Sequence, residues 1–221
     1  MTGNVLKVIA MFSMLVDHVG AIFFPDVLFL RVIGRLAFPI FAFLAAEGCY
    51  YTHDIFKYFL RLCAFGVISQ VPYCLAFGFP FDIFPGFNIF FTLAFAVFSI
   101  GLFQRIPFAS QRSAPAVLVG GILLLVLSAS LLRLNYGSYG VFLVLAFYIF
   151  RVSRKKAFGS FAGFSVLQSI STPMQISSLL ACVPLSKYNG ERGKPIPKWL
   201  FYSFYPAHLA FLAVLRLFFM V

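Results

Sequence analysis

Nine apolar runs divide the chain, at about 5–24, 31–51, 57–78, 87–104, 115–133, 138–150, 157–171, 174–187 and 199–220. Most approach the roughly 20 residues that a helix needs to cross a bilayer. Runs 138–150, 157–171 and 174–187 are shorter. The last two flank Ser171-Thr172-Pro173 and read either as tilted short spans or as a re-entrant hairpin. The pattern predicts an all-α, polytopic integral membrane bundle of about nine transmembrane segments, within a range of eight to ten. No internal repeat, long linker or low-complexity tail breaks it, so residues 1–221 are expected to form one domain.

Composition agrees with lipid as the main solvent. Hydrophobic residues make up 62% of the chain and charged ones 10%, with a mean hydropathy of +0.99. A soluble domain of this size has no means of hiding that much apolar surface. The formal charge of +11 would suggest nucleic acid in a soluble protein. Here the cations sit at the ends of apolar runs, without the interleaved polar surface of a nucleic-acid groove, so no nucleic-acid partner is expected. Lys57/Arg61, Arg105/Arg112, Arg151/Arg154/Lys155/Lys156 and Lys187/Arg192/Lys194/Lys198 mark basic connections, and the alternate ones are nearly free of Lys and Arg. Nine spans with a cytoplasmic N-terminus place all four basic connections inside, as expected for a multi-pass protein of the inner membrane. Cys49, Cys63, Cys74 and Cys182 fall in apolar runs without metal-ligand spacing and read as core residues, so no metal site is expected.

Polar groups at membrane depth are the candidates for chemistry. Asp17-His18 interrupts the first run, which also argues against a cleaved signal sequence and for a retained span. On a helical wheel Lys7, Met11, Met14 and His18 share one stripe, with Ala10, Ser13, Asp17 and Ala21 beside it. Adjacent residues point about 100° apart, so Asp17 is poorly placed to orient His18. The second run places Arg35 at the depth of Asp17 and His18, towards the outside. Glu47 lies twelve residues on, roughly 18 Å along the axis. The expected pairs are Asp17 with Arg35, and Glu47 with Lys7 or Arg61. The last run carries Tyr202, Tyr205 and His208 at spacings of three, and Asn88 precedes Thr92 by one turn. An interfacial aromatic belt accounts for Trp199, Phe201 and Tyr202, and helix–helix hydrogen bonds for Ser69, Gln70, Asn88 and Thr92.

The stretches LKVIAMFSMLVDHVG (6–20), RVIGRLAFPIFAFLAAEGCYYTHD (31–54), KYFLRLCAFGVISQVPY (57–73), NIFFT (88–92), YGSYGV (136–141), YNGERG (188–193) and WLFYSFYPAHLAFL (199–212) together resemble the TraX family of membrane proteins. The family is named for a conjugal-transfer protein that acetylates the N-terminus of pilin. It in turn looks related to broader integral-membrane acyltransferases that use an acyl-CoA donor and an intramembrane His. The resemblance implies transfer of an acetyl group from acetyl-CoA, across or within the membrane, to an amine or hydroxyl acceptor such as a pilin-like peptide. His18 is then the expected general base, with Asp17 and Arg35 at the outer end of the site and Arg35 facing the oxyanion. Lys7, Arg61 and the basic loops would attract the phosphates of CoA, and Met11/Met14 would line a channel. Glu47, Asn88, Tyr205 and His208 complete the candidate substrate contacts. Two other classes stay open: a transporter with Asp17, His18, Arg35, Glu47 and His208 as a proton or anion path, and a noncatalytic membrane assembly factor.

Overall fold

A computed structural model of the chain describes residues 1–79, 85–105, 121, 125 and 127–219. Most of the expected span 115–133, together with Arg112, lies outside the described residues. Among the described residues there are helices and no strands, apart from one isolated bridge between Phe87 and Leu134.

Helix α1 (Gly3–Phe23) starts at Thr2, whose hydroxyl accepts a 3.5 Å hydrogen bond from the Val5 N–H. Helices α2 (Leu28–Gly34) and α3 (Ala37–Tyr51) form one 24-residue apolar column, Leu28–Tyr51, broken at Arg35-Leu36. The break follows from Pro39, which has no N–H to return to the carbonyl four residues back, that of Arg35. Helix α4 (Ile55–Phe77) is capped by Asp54, which accepts from the Lys57 N–H at 2.9 Å, and ends at Gly78 in the left-handed region (φ 68). Helices α5 (Ile89–Arg105), α6 (Gly137–Ile149) and α7 (Arg154–Ser169) follow. A 3₁₀ helix over Pro173–Ala181 then runs into the short α8 (Cys182–Ser186). Its buried residues Gln175, Ser178 and Ala181 recur every third position, the period of a 3₁₀ helix. Helix α9 (Lys198–Phe219) closes the chain and holds Pro206 internally.

Among the described residues four segments are long and apolar enough to cross a membrane: Gly3–Phe23, Leu28–Tyr51, Ile55–Phe77 and Lys198–Phe219. Ile89–Arg105, Gly137–Ile149 and Pro173–Ser186 are shorter apolar helical segments. Large apolar side chains such as Val8, Phe12, Val67, Val71, Phe211 and Leu217 face outward, whereas Ala10, Ala42, Ala76 and Ala96 are fully buried. That inverted distribution marks a membrane protein, whose helices pack closely through small residues. Helix α1 packs on α2, α3 and α9; α9 packs on α4, α4 on α5, and α6 on α3, α5 and α7.

One end of the bundle gathers the N-terminus and basic connections. The Gly3 N–H donates to the Glu191 carbonyl at 2.8 Å and the Asn4 N–H to that of Arg192 at 3.0 Å, while the Asn4 amide also donates to the Lys194 carbonyl. Arg154 donates to the carbonyls of Ser186 (3.1 Å) and Tyr188 (2.6 Å). Helix α7 and the Pro173–Ser186 segment are therefore the two arms of a hairpin that begins and ends at this basic end, with its tip at 170–172.

Candidate active site

The break at Arg35 forms one wall of a cavity of about 430 Å³. Helix α1 contributes Met14, Asp17 and His18, and the α2–α3 column contributes Arg31, Gly34, Arg35, Phe38 and Phe41. Tyr73 and Phe77 come from α4, Gln168, Thr172 and Gln175 from around the hairpin tip, and Tyr205 from α9. Asn135, Tyr136, Ser138 and Tyr139 enter from the start of α6. They are carried there by the Phe87–Leu134 bridge, where the Asn135 N–H donates to the Phe87 carbonyl at 3.0 Å.

Asp17 does not pair with Arg35. Its Oδ1 lies 2.9 Å from Nη1 of Arg31, one helical turn earlier, and the same nitrogen donates to the Asp17 backbone carbonyl at 2.9 Å. The buried Oδ1 is thus held by the charge of Arg31, with no contact that meets hydrogen-bond geometry. Gly34 makes the approach possible, since a Cβ there would lie 2.1 Å from Oδ1. Arg35 reaches instead across the cavity wall, donating to Oε1 of Gln175 at 3.5 Å, and its Nε is buried without a partner. Gln175 is fixed from behind: its amide donates to the Tyr139 hydroxyl at 3.1 Å, which shares a 3.1 Å bond with Ser165, itself 3.1 Å from the Ser178 hydroxyl. Tyr136 stacks on Phe38 with centroids 3.8 Å apart.

His18 turns the other way, towards α9. Its Nδ1 lies 2.7 Å from Nε2 of His208, and Nδ1 of His208 lies 2.7 Å from the Phe204 carbonyl oxygen. The two imidazole planes are only 9° apart with centroids at 5.0 Å. With a short N···N contact, that geometry is edge-to-edge hydrogen bonding of coplanar rings rather than a stack. His18 lines the cavity, and His208 sits behind it rather than on the wall.

Met14, Phe41, Ile89 and Tyr205 are shared between the cavity and a narrow apolar crevice of about 50 Å³. The crevice continues past Met11, Leu62 and Leu93 to Tyr58, Phe201 and Tyr202. Cations flank those last residues: the Arg61 guanidinium lies 5.4 Å from the ring centroids of both Tyr58 and Tyr202, and Lys7 lies 5.1 Å from that of Phe201.

Glu47 pairs with neither Lys7 nor Arg61. Its Oε1 accepts from Nε of Arg151 at 2.6 Å and its Oε2 from the Tyr188 hydroxyl at 3.2 Å. Arg61 is engaged by aromatic rings, and Lys7 donates to Oδ1 of Asn4 at 3.0 Å. Burial first, and then the Glu47 charge, push the Tyr188 phenol up to about 12, so it remains a donor at neutral pH. Asn88 is also away from the cavity: it donates to the Gly66 carbonyl (2.7 Å) and to Gln70 (2.8 Å), and joins α4 to the start of α5. Among the described residues no three His, Cys, Asp or Glu side chains gather in a metal-binding group. The sequence reasoning missed Tyr136, Tyr139 and Gln175 as site residues; the paired tyrosines of YGSYGV and a Gln just after Pro173 were the available signals.

The sequence model of the family described as TraX protein matches residues 2–216. The chain belongs to the TraX family. Within the curated proteins, the TraX-family chain is 29% identical over 240 residues to "Probable fimbrial assembly protein FimC, serogroup H1" of Dichelobacter nodosus, covering 96% of this chain and 95% of that one. It is 28% identical over 227 residues to "Protein TraX" of Escherichia coli, covering 97% of this chain and 87% of that one. No solved structure matches it.

Proposed function

We propose that this TraX-family protein is an integral-membrane acyltransferase that moves an acetyl group from acetyl-CoA to an amine or hydroxyl acceptor. The observation that carries the proposal is the continuity of three environments: a polar cavity with His18 on its wall, a narrow apolar crevice, and two cations beside the far end of that crevice. A narrow crevice suits the slender β-alanine–cysteamine end of the donor's arm, and Lys7 and Arg61 supply charge for the phosphates at its other end. In the cavity His18 takes the proton from the acceptor N–H or O–H as that atom attacks the thioester carbonyl. Arg35 faces the charge that develops on the carbonyl oxygen. The C–S bond breaks, the acceptor keeps the acetyl group, and the proton held by His18 passes to the departing thiolate, leaving free CoA thiol.

Topology follows from the same charges. We place the N-terminus, held against the 187–194 connection, at the cytoplasmic face of the inner membrane, with nine crossings and the cavity towards the outer side. The name of the Dichelobacter relative concerns fimbrial assembly, and on this chain it favours a pilin-like peptide as acceptor. A transporter would need alternating access around the cavity, and no feature of the four long helices favours that over transfer.

Thermal unfolding of the purified protein in detergent, with acetyl-CoA and with CoA, tests the donor. Stabilisation by acetyl-CoA, accompanied by slow thioester hydrolysis that His18→Ala abolishes, is expected. Absence of any shift in well-folded protein would overturn the assignment.

A further inference from the structure

We propose that His208 is a positioning residue that fixes the proton pattern of His18 and receives the proton His18 collects, a role that rests on reading His18 as the base. A backbone carbonyl oxygen only accepts, so the 2.7 Å contact with Phe204 requires a hydrogen on Nδ1 of His208. The neutral ring then carries its lone pair on Nε2, the atom that meets His18. Nδ1 of His18 must therefore donate, and its Nε2 is left as a bare lone pair. One backbone carbonyl on α9 thus decides which nitrogen of a cavity residue on α1 can act as a base.

The partners around His18 leave this task to His208. Asp17 is adjacent in sequence, points away, and is engaged by Arg31. Phe77 and Tyr205 present aromatic edges to the ring, with centroids at 5.4 and 6.0 Å. The coplanar N···N geometry also sets the path of the proton. As Nε2 of His18 gains a proton from the acceptor, the Nδ1–H bond of His18 breaks and an Nε2–H bond forms on His208, which keeps its Nδ1–H on Phe204. Charge moves from the cavity wall to the ring behind it, and the reverse shift returns the proton to the thiolate. No other reactant is consumed.

The test is ¹⁵N spectroscopy of the imidazoles in the detergent-solubilised 221-residue chain, which holds three His, combined with kinetics of His208→Gln. The expected wild-type signature is a protonated Nδ1 on both His18 and His208 and an unprotonated Nε2 on His18. In His208→Gln, whose amide can still accept from His18 and donate to Phe204 but passes no proton, that pattern holds while kcat falls roughly 10²-fold at an unchanged KM for acetyl-CoA; in His208→Leu, which accepts nothing, the pattern itself is lost. A protonated Nε2 on wild-type His18, or an unchanged kcat in a folded His208→Gln, overturns the proposal. The spectrum needs no turnover. A bare His18 Nε2 in a wild-type protein that transfers no acetyl group would support the positioning and remove only the acyltransferase reading.

Discussion

Glu47 and Asp17 are carboxylates inside helices long and apolar enough to cross a membrane, and their surroundings are opposite. Both oxygens of Glu47 are occupied, by Arg151 and by Tyr188, and Arg151 is further held by the Tyr51 hydroxyl at 3.0 Å and the face of Tyr50 at 3.6 Å. No open space adjoins that pair in the cavity or the crevice. Asp17 faces the 430 Å³ cavity with a charge contact to Arg31 and a buried oxygen lacking a hydrogen bond, while nearby Arg35 keeps a buried Nε unpartnered. A closed cluster fastens helices; an open one holds polar groups ready for a ligand. Charge at membrane depth is therefore a poor guide to function until its satisfaction is known.

The sharpest break of this contrast is His18→Ala, expected to lower kcat roughly 10²- to 10⁴-fold in protein that still folds, with a thermal midpoint lowered by the lost bond to His208, read by labelled acetyl transfer and calorimetry. Arg35→Gln should follow, with kcat down about 10²-fold through loss of charge at the oxyanion and little change in acetyl-CoA affinity. Glu47→Ala should do the reverse. It strands Arg151, and thermal or denaturant unfolding should show a loss of about 2 kcal/mol, below the figure for a fully buried pair because Arg151 is 27% exposed. Its kcat should hold. The smallest effect is expected from Arg61→Gln, a severalfold rise in the KM for acetyl-CoA that shrinks as salt is added.

Much of the bundle was legible from hydrophobic run length, because lipid imposes a strict length rule on each crossing. The short runs around Ser171-Thr172-Pro173 were recognisable as a pair, yet the 3₁₀ helix over Pro173–Ala181 was not, since its three-residue period rests on only three buried positions. Helical geometry also correctly separated Asp17 from His18. Partner choice was less accessible. Arg31 and Arg35 lie on successive turns, and the break imposed by Pro39 and the absent side chain of Gly34 decide which one meets Asp17. Glu47 found Arg151, more than a hundred residues away, because α3 packs on α6 and brings its C-terminal end there. Asn88 shows a simpler case: its position at the start of α5 suggested a helix–helix bond, and it makes two to α4.

The most direct measurement is transfer of labelled acetyl from acetyl-CoA by His18→Ala and Glu47→Ala prepared side by side with the wild type in detergent. Loss of transfer in a folded His18→Ala, with transfer per folded molecule retained in a destabilised Glu47→Ala, is the predicted result. Retained transfer in His18→Ala would contradict the account, because the open cavity would then not be where the chemistry occurs.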